Sequence, residues 1–267
     1  MSKTILITGA GSGLGQGTAI GLARKGHKVI AAVENWPQVS GLLATAKEAG
    51  VDLEVTKLDL LSKDDRETVF RKYGNSVDIL VNNAATGETG PIAEVPVDRI
   101  RRVFEVNVFS TLEFAQPFAR LFAQKARGKI VFTSSIAGFS TFKYLGPYVA
   151  SKHALEPIVQ LMRDEMEGTG VQIATINPGP FRTGFNDRMY DTLDQRYDPE
   201  KHFTPEVPIR DVQQLFAGDE LQLDPQPMID FMVDLIPQDN HKFRNVFPEH
   251  FVGNVKAYQD SLWTKDM

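Results

Sequence analysis

The sequence predicts an α/β protein with a single doubly wound parallel sheet. Short β-branched runs alternate with longer helical stretches from residue 3 to about residue 180. The runs are apolar along their whole length, which is typical of strands that helices cover on both faces. The first run also leads directly into a glycine-rich turn and then a helix, the order found in nucleotide-binding sheets.

Six segments carry the strand pattern. Each combines β-branched residues with flanking turn residues, and each is short enough to be one strand of a sheet. The predicted strands are KTILIT (3–8), KVIAAV (28–33), LEVTKL (53–58), DILVNN (78–83), KIVFTS (129–134) and VQIATI (171–176).

Helices are predicted between these strands, and glycines mark where several of them end. The segments 14–25, 37–49 and 147–167 are followed by Gly26, Gly50 and Gly168. Glycine is favoured just after a helix because it adopts the left-handed backbone conformation without strain. We therefore expect these three helices to end at their glycines.

The pattern changes from about residue 184. Prolines and charged residues crowd 198–208, and the strand signal is weak until roughly 242–247. Asp224 and Pro225 offer an N-cap and a first helical residue for a helix through about residue 236. We predict one domain over 1–267, in which the irregular segment 184–225 is a substrate lid.

Composition excludes several classes of function. The 29 basic and 34 acidic residues give a net charge of −5 without a basic patch, which argues against nucleic-acid binding. No apolar run approaches the ~20 residues needed to span a bilayer. The absence of cysteine excludes disulfides and thiolate chemistry, and the five histidines lack ligand-like spacing. We expect a cytoplasmic protein without a metal site.

The segment TGAGSGLG follows the first strand and opens the first helix. Glycines here allow the backbone to approach a pyrophosphate, and the free amides of a helix N-terminus then face the phosphates. The same residues also form ordinary tight turns, so the motif alone leaves both interpretations open.

An acidic residue near the end of the second strand bears on the choice of cofactor. Glu34 can accept hydrogen bonds from the adenosine ribose and would repel a 2′-phosphate. No Arg or Lys follows in ENWPQV. NAD is therefore favoured over NADP, although Val33 occupies the position where the acid usually lies and Glu34 could simply face solvent.

Tyr148 and Lys152 in YVASK are the residues most suggestive of catalysis. Residues four apart on a helix share a face, which places the Lys152 ammonium beside the Tyr148 phenol. A charge ~4 Å away supplies roughly 4 kcal/mol at an effective dielectric of ~20, so we expect it to lower the pKa of Tyr148. Ser135, thirteen residues upstream, could hold the same substrate oxygen. A surface tyrosine beside a solvated lysine is the alternative.

Together these residues resemble the short-chain dehydrogenase/reductase family over about residues 3 to 185. Thr8 and the glycines fit its glycine pattern, and NNAA at 82–85 resembles its NNAG motif, with Ala85 in place of the final glycine. The tetrad of the family corresponds to Asn107, Ser135, Tyr148 and Lys152. The cofactor contacts that the resemblance implies are Gly9, Ser12, Gly13, Leu14, Gly15, Glu34, Asp59, Leu60, Asn83, Ala84, Ala85, Tyr148, Lys152, Pro178, Gly179, Phe181 and Thr183.

The resemblance implies a Rossmann fold and an NAD-linked oxidoreductase that interconverts alcohols and carbonyl compounds. Tyr148 would be the general acid/base, Ser135 the anchor of the substrate oxygen, Lys152 the tuner of Tyr148 and a ribose contact, and Asn107 the support of a proton-relay water. By analogy with relatives, we expect a homodimer or homotetramer. An epimerase or dehydratase, and a silent nucleotide-binding protein, remain as alternatives.

Aromatic side chains in the predicted lid indicate a bulky, apolar substrate. They could equally pack the lid itself. The residues concerned are Phe185, Met189, Tyr190, Tyr197, Phe203 and Phe216, with Phe142 and Tyr144 near the catalytic serine.

Overall fold

Seven parallel strands form one sheet in the computed structural model, which describes residues 2–217 and 221–264. The strands are β1 (Thr4–Thr8), β2 (Lys28–Val33), β3 (Glu54–Lys57), β4 (Ile79–Asn82), β5 (Gly128–Thr133), β6 (Val171–Pro178) and β7 (Arg244–Phe247). Their order across the sheet is β3-β2-β1-β4-β5-β6-β7. The order reverses between β1 and β4, which leaves a crevice at the carboxyl ends of these two strands.

Helices connect the strands. The described residues include α1 (Gly13–Arg24), α2 (Trp36–Glu48), α3 (Lys63–Tyr73), α4 (Val97–Phe104), α5 (Thr111–Gln124), α6 (Gly146–Glu165), α7 (Phe185–Asp194), α8 (Glu206–Ala217), α9 (Pro225–Leu235) and α10 (Phe251–Leu262). A π-helical turn, Glu105–Ser110, joins α4 to α5, and a short 3₁₀ turn, Ile136–Gly138, follows β5.

The sheet lies between two apolar layers. Ile5 and Ile7 of β1 belong to a cluster that includes buried residues of α1, α2 and α9. Leu6, between them, belongs to a second cluster with α3, α5 and α6. All three side chains are fully buried, as expected for a central strand covered on both faces. The doubly wound parallel sheet predicted from the sequence is confirmed.

The predicted element boundaries agree closely with the structure over the first 180 residues. β2 covers the predicted residues 28–33, and the helix-ending glycines Gly26, Gly50 and Gly168 have φ of 82°, 66° and 79°. Asp224 caps α9 by accepting a hydrogen bond from the Gln226 amide at 2.9 Å.

The sequence predicted an irregular segment over 184–225, but the structure has two helices there, α7 and α8. Pro208 lies in the first turn of α8, where a helix needs no amide donor and proline is tolerated. No helix in the described ranges is long and apolar enough to cross a bilayer.

Candidate active site

A cavity of about 1070 Å³ opens at the carboxyl ends of the strands. Residues that follow β1, β2, β3, β4 and β5, together with the end of β6 and residues of α7, line its wall. Ligands of doubly wound sheets bind at this edge, where the strand order reverses. The cavity is therefore the candidate active site.

The glycine-rich turn after β1 packs closely against the segment after β4. A Cβ on Gly9 would lie 2.7 Å from the Ala84 Cα, and one on Gly15 would lie 2.4 Å from the Gly9 oxygen. The Asn83 side chain donates hydrogen bonds to the carbonyls of Thr8 and Gly9, at 3.1 and 3.3 Å. The Thr8 hydroxyl accepts from the amides of Asn83 and Ala84, both at 3.0 Å. These contacts fix the shape of the turn.

This turn presents helix amides to the cavity. The helix α1 starts at Gly13, and the Ser12 side chain makes no capping hydrogen bond to its first turn. Ser12, Gly13, Leu14 and Gly15 all line the cavity. Uncapped amides at a helix N-terminus are suited to bind phosphate oxygens, so these residues fit the pyrophosphate of a dinucleotide.

The turn after β2 lies on the same wall. Val33 is fully buried, whereas Glu34 is exposed and lines the cavity. The Gln38 Oε1 accepts a hydrogen bond from the Glu34 amide at 2.9 Å, and a Cβ on Gly11 would lie 2.8 Å from the same oxygen. Gln38 is a cavity residue that the sequence interpretation missed, although its position one turn after Glu34 could have indicated it.

Asp59 lies after β3 and also lines the cavity. One of its carboxylate oxygens accepts a hydrogen bond from the Leu61 amide at 2.9 Å, which closes a short turn. Asp59 therefore has the turn-forming role, and its contact with a cofactor stays a prediction.

Three predicted catalytic residues come together on the opposite wall. Ser135 follows β5 and caps the 3₁₀ turn, where its hydroxyl accepts a hydrogen bond from the Ala137 amide at 3.0 Å. Tyr148 lies in the first turn of α6, and Lys152 is one turn further on. The Lys152 ammonium lies 5.7 Å from the centre of the Tyr148 ring and donates a 2.8 Å hydrogen bond to the Thr133 carbonyl.

Burial governs the titration of this group of residues. It raises the pKa of Tyr148 to about 12, although a hydrogen bond with the Ser135 hydroxyl partly opposes the change. Burial also lowers the pKa of Lys152 to about 8, against the attraction of the Glu156 carboxylate. The predicted lowering of the Tyr148 pKa by Lys152 is therefore wrong for the protein itself, because burial disfavours the phenolate and raises the pKa of Tyr148.

The Asn107 side chain is hydrogen-bonded to Thr86 and Ser151 inside the protein. Its side-chain amide donates to the Thr86 carbonyl at 2.8 Å and to the Ser151 hydroxyl at 2.9 Å, and its oxygen accepts from the Thr86 amide at 2.8 Å. Asn107 lies in the π-helical turn and is almost completely buried. Because both amide hydrogens are used, this side chain has no further hydrogen to donate to a relay water.

An apolar cluster borders the catalytic residues. Met189 and Tyr190 of α7 pack with Leu145 and Val149, and Phe142, Tyr148, Phe185 and Phe216 contact this cluster. Three of the aromatic residues singled out in the sequence do not line the cavity. Tyr197 donates to the Thr204 carbonyl at 3.0 Å, Phe203 is 76% exposed, and Tyr144 has a positive φ of 64° in a loop.

The structure brings almost all predicted site residues together. Those that line the cavity are Gly9, Ser12, Gly13, Leu14, Gly15, Glu34, Asp59, Leu60, Asn83, Ala84, Ala85, Ser135, Tyr148, Lys152, Pro178, Gly179, Phe181 and Thr183. Asn107 lies behind this wall and contacts it through Thr86.

The C-terminal residues His250 and Phe251 also line the cavity. A Cβ on Gly179 would lie 2.6 Å from the Phe251 ring, so the aromatic side chain packs directly on the backbone after β6. No local sequence signal connects these residues with the site, because the contact depends on how the chain returns after β7. Among the described residues, no group of three acidic, histidine or cysteine side chains could hold a metal ion.

Known proteins resemble this chain in sequence. Diacetyl reductase forming (S)-acetoin, from Staphylococcus epidermidis, is 33% identical over 200 residues, which are 73% of this chain and 76% of the relative. NADPH-dependent 3-dehydrocapnine reductase from Ornithobacterium rhinotracheale is 34% identical over 194 residues, 67% of this chain and 65% of the relative.

The fold is also found in solved structures. A short-chain dehydrogenase/reductase from Burkholderia phymatum in complex with NAD superposes with a TM-score of 0.83 at 22% identity, covering 99% of this chain and 96% of that one. The family model described as short chain dehydrogenase matches residues 3–194, which include the glycine-rich turn, Ser135, Tyr148 and Lys152. The chain therefore belongs to the short-chain dehydrogenase/reductase family of oxidoreductases.

Proposed function

We propose that this protein is a nicotinamide-dependent oxidoreductase that interconverts a secondary alcohol and a ketone or aldehyde. The observation that carries the proposal is the grouping of Ser135, Tyr148 and Lys152 in the same cavity as the glycine-rich turn. One wall is suited to a dinucleotide, and the other supplies groups that bind and protonate an oxygen atom. A bound nicotinamide exchanges a hydride with the carbon that bears this oxygen.

Tyr148 supplies the proton in the direction of carbonyl reduction. Because burial raises its pKa to about 12, the phenol is protonated at neutral pH and ready to act as an acid. The Ser135 hydroxyl holds the same substrate oxygen and stabilises the negative charge that develops there. The phenolic proton passes to the carbonyl oxygen, which becomes the hydroxyl of the alcohol, and a bound nicotinamide would supply the hydride to the carbon.

Lys152 stabilises the phenolate that remains. A unit charge 5.7 Å from the ring centre contributes about 3 kcal/mol at an effective dielectric of about 20. This attraction operates only while the ammonium is charged. The protonated phenol and the charged ammonium together suit carbonyl reduction near neutral pH.

We propose NAD over NADP as the cofactor. The exposed Glu34 carboxylate on the cavity wall would repel a 2′-phosphate, and Gln38 already accepts the Glu34 amide hydrogen that such a phosphate could use. The turn from Glu34 to Gln38 contains no Arg or Lys. Relatives differ in this respect, since the 3-dehydrocapnine reductase is NADPH-dependent.

We propose a bulky, apolar substrate and a lid formed by residues 184–225 within a single domain. Phe142, Phe185, Met189 and Phe216 line the cavity on the side of the catalytic residues. Apolar pockets with a few polar groups are typical of sites for small organic molecules. The diacetyl reductase activity of one relative supports a carbonyl substrate.

A spectrophotometric screen at 340 nm tests the proposal. Purified protein is incubated with each cofactor and with secondary alcohols and ketones of increasing size, and the Tyr148→Phe variant is the matched control. Turnover of the cofactor by the wild type and its loss in the variant support the proposed reaction. Conversion without net cofactor turnover would indicate an epimerase or dehydratase, and cofactor binding without conversion would indicate a silent binder.

A further inference from the structure

Arg188 lies on the cavity wall and takes no part in the reaction described above. It belongs to the beginning of α7, is exposed, and lines the cavity with Phe185, Asn186 and Met189. Within the described ranges its guanidinium has no hydrogen-bond or ion-pair partner, and neither Asp187 nor Asp191 pairs with it. A free cation at a cavity edge is available for an anionic ligand.

Two contacts place this guanidinium near the glycine-rich turn. Its Nη1 lies 3.0 Å from the point that a Cβ on Gly184 would occupy. The preceding residue, Thr183, packs against the turn, since a Cβ on Gly13 would lie 2.9 Å from the Thr183 Cβ. The Arg188 side chain therefore folds back over Gly184. The residue before it, Thr183, contacts Gly13 at the start of α1.

The charges in the cavity favour an anion at this point. Among the described residues, the lining carboxylates are Glu34 and Asp59, which follow β2 and β3, whereas Gly13 begins α1 after β1. The uncapped N-terminus of α1 adds a partial positive charge on the same side as Arg188. A guanidinium forms two parallel hydrogen bonds with a phosphate group, which suits it to a pyrophosphate.

We propose that Arg188 is a cofactor-binding residue that closes over the pyrophosphate from α7. The α1 amides bind the diphosphate from one side and the guanidinium from the other, so that cofactor binding also fixes the position of α7 beside the substrate. This inference rests on the proposed function in one respect, because it requires that the protein bind a nicotinamide dinucleotide.

Binding of ADP-ribose, measured by isothermal titration calorimetry, tests the inference independently of catalysis. ADP-ribose carries the pyrophosphate without the nicotinamide ring, and adenosine carries neither. We expect Arg188→Gln to weaken the binding of ADP-ribose and of NADH by about tenfold, with adenosine binding unchanged. Arg188→Lys should recover part of the loss, and the difference between wild type and Arg188→Gln should shrink at high salt.

Arg71→Gln is the matched control, because it removes an exposed arginine on α3 that does not line the cavity. It should leave all three affinities unchanged, and both variants should melt at the wild-type temperature. An unchanged ADP-ribose affinity in Arg188→Gln would overturn the inference. If, in addition, the KM of a ketone that carries a carboxylate rises, Arg188 binds the substrate and not the cofactor. If the wild type binds neither ADP-ribose nor NADH, the proposed function itself fails.

Discussion

The Lys152 ammonium donates its hydrogen bond to the Thr133 carbonyl, at a distance of 2.8 Å. Thr133 is the last residue of β5, and Ser135 follows two positions later, so this bond fixes α6 against the strand that carries the catalytic serine. It also holds the ammonium beside the Tyr148 ring instead of leaving it to solvent. The bond thereby connects the two structural elements that form the catalytic wall.

Tyr148→Phe should lower kcat by at least 100-fold, because the variant removes the proton donor and keeps the ring. The affinity for NADH should change by less than about threefold, since the ring still packs against Phe185 at 5.4 Å between centroids. Stopped-flow measurement of hydride transfer and fluorescence titration of NADH check the two expectations. Retention of most of the wild-type kcat would exclude Tyr148 as the acid.

The kcat/KM of carbonyl reduction should fall as pH rises through about 8. Burial lowers the pKa of Lys152 to about 8, so its charged form predominates below this pH and is lost above it. Without the charge, the Tyr148 phenolate loses its stabilising partner and proton transfer slows. A pH profile from 6 to 10 measures the effect. In Lys152→Met, kcat/KM should be low at every pH and should no longer fall as pH rises through about 8. If the decrease persists in this variant, a group other than Lys152 causes it.

Glu34→Ala should shift the ratio of NADH to NADPH affinity toward NADPH by about tenfold, because the variant removes the repulsion of the 2′-phosphate. Calorimetric titration with both cofactors gives the ratio directly. Glu48→Ala, which removes an acidic residue at the other end of α2, is the control and should leave the ratio at its wild-type value. An equal ratio in wild type and Glu34→Ala would remove Glu34 from cofactor selection.

Glu156→Ala should lower the free energy of unfolding by about 2–3 kcal/mol. The buried Glu156 carboxylate accepts hydrogen bonds from Asn177 at 2.6 Å and from Arg244 at 3.1 Å, and the buried Asn177 amide would lose a partner. Arg244→Ala should cost less than Glu156→Ala, because the Glu156 carboxylate keeps its hydrogen bond from Asn177 and the Arg244 side chain is already 40% exposed. Urea denaturation of both variants checks the order, and equal losses would contradict it.

The sequence predicted the positions of the first six strands for a physical reason, whereas most cavity residues were predicted from the family resemblance. A strand buried on both faces has to be apolar throughout, as Ile5, Leu6 and Ile7 are, and such runs are visible without a structure. Gly9 and Gly15 are similarly informative, because their contacts with Ala84 and with the turn itself leave no room for a side chain.

The pKa of Tyr148 and the contribution of the C-terminal residues could not be predicted in this way. The spacing of Tyr148 and Lys152 gives their proximity, but desolvation depends on Phe185, Leu145 and other residues that fold around them from elsewhere in the chain. Arg188 and Phe251 reach the cavity through tertiary contacts, which have no local pattern. The helix α8 was obscured by Pro208 in its first turn and by Pro205 just before it.

Phe251 packs on the backbone of Gly179, and it lies after residues 3–194, which the family model matches. Directed evolution aimed at new substrates can therefore randomise His250, Phe251 and their neighbours while the proton-transfer machinery stays untouched. The residues that follow β7 can thus be varied without touching Ser135, Tyr148 or Lys152, which lie far earlier in the chain.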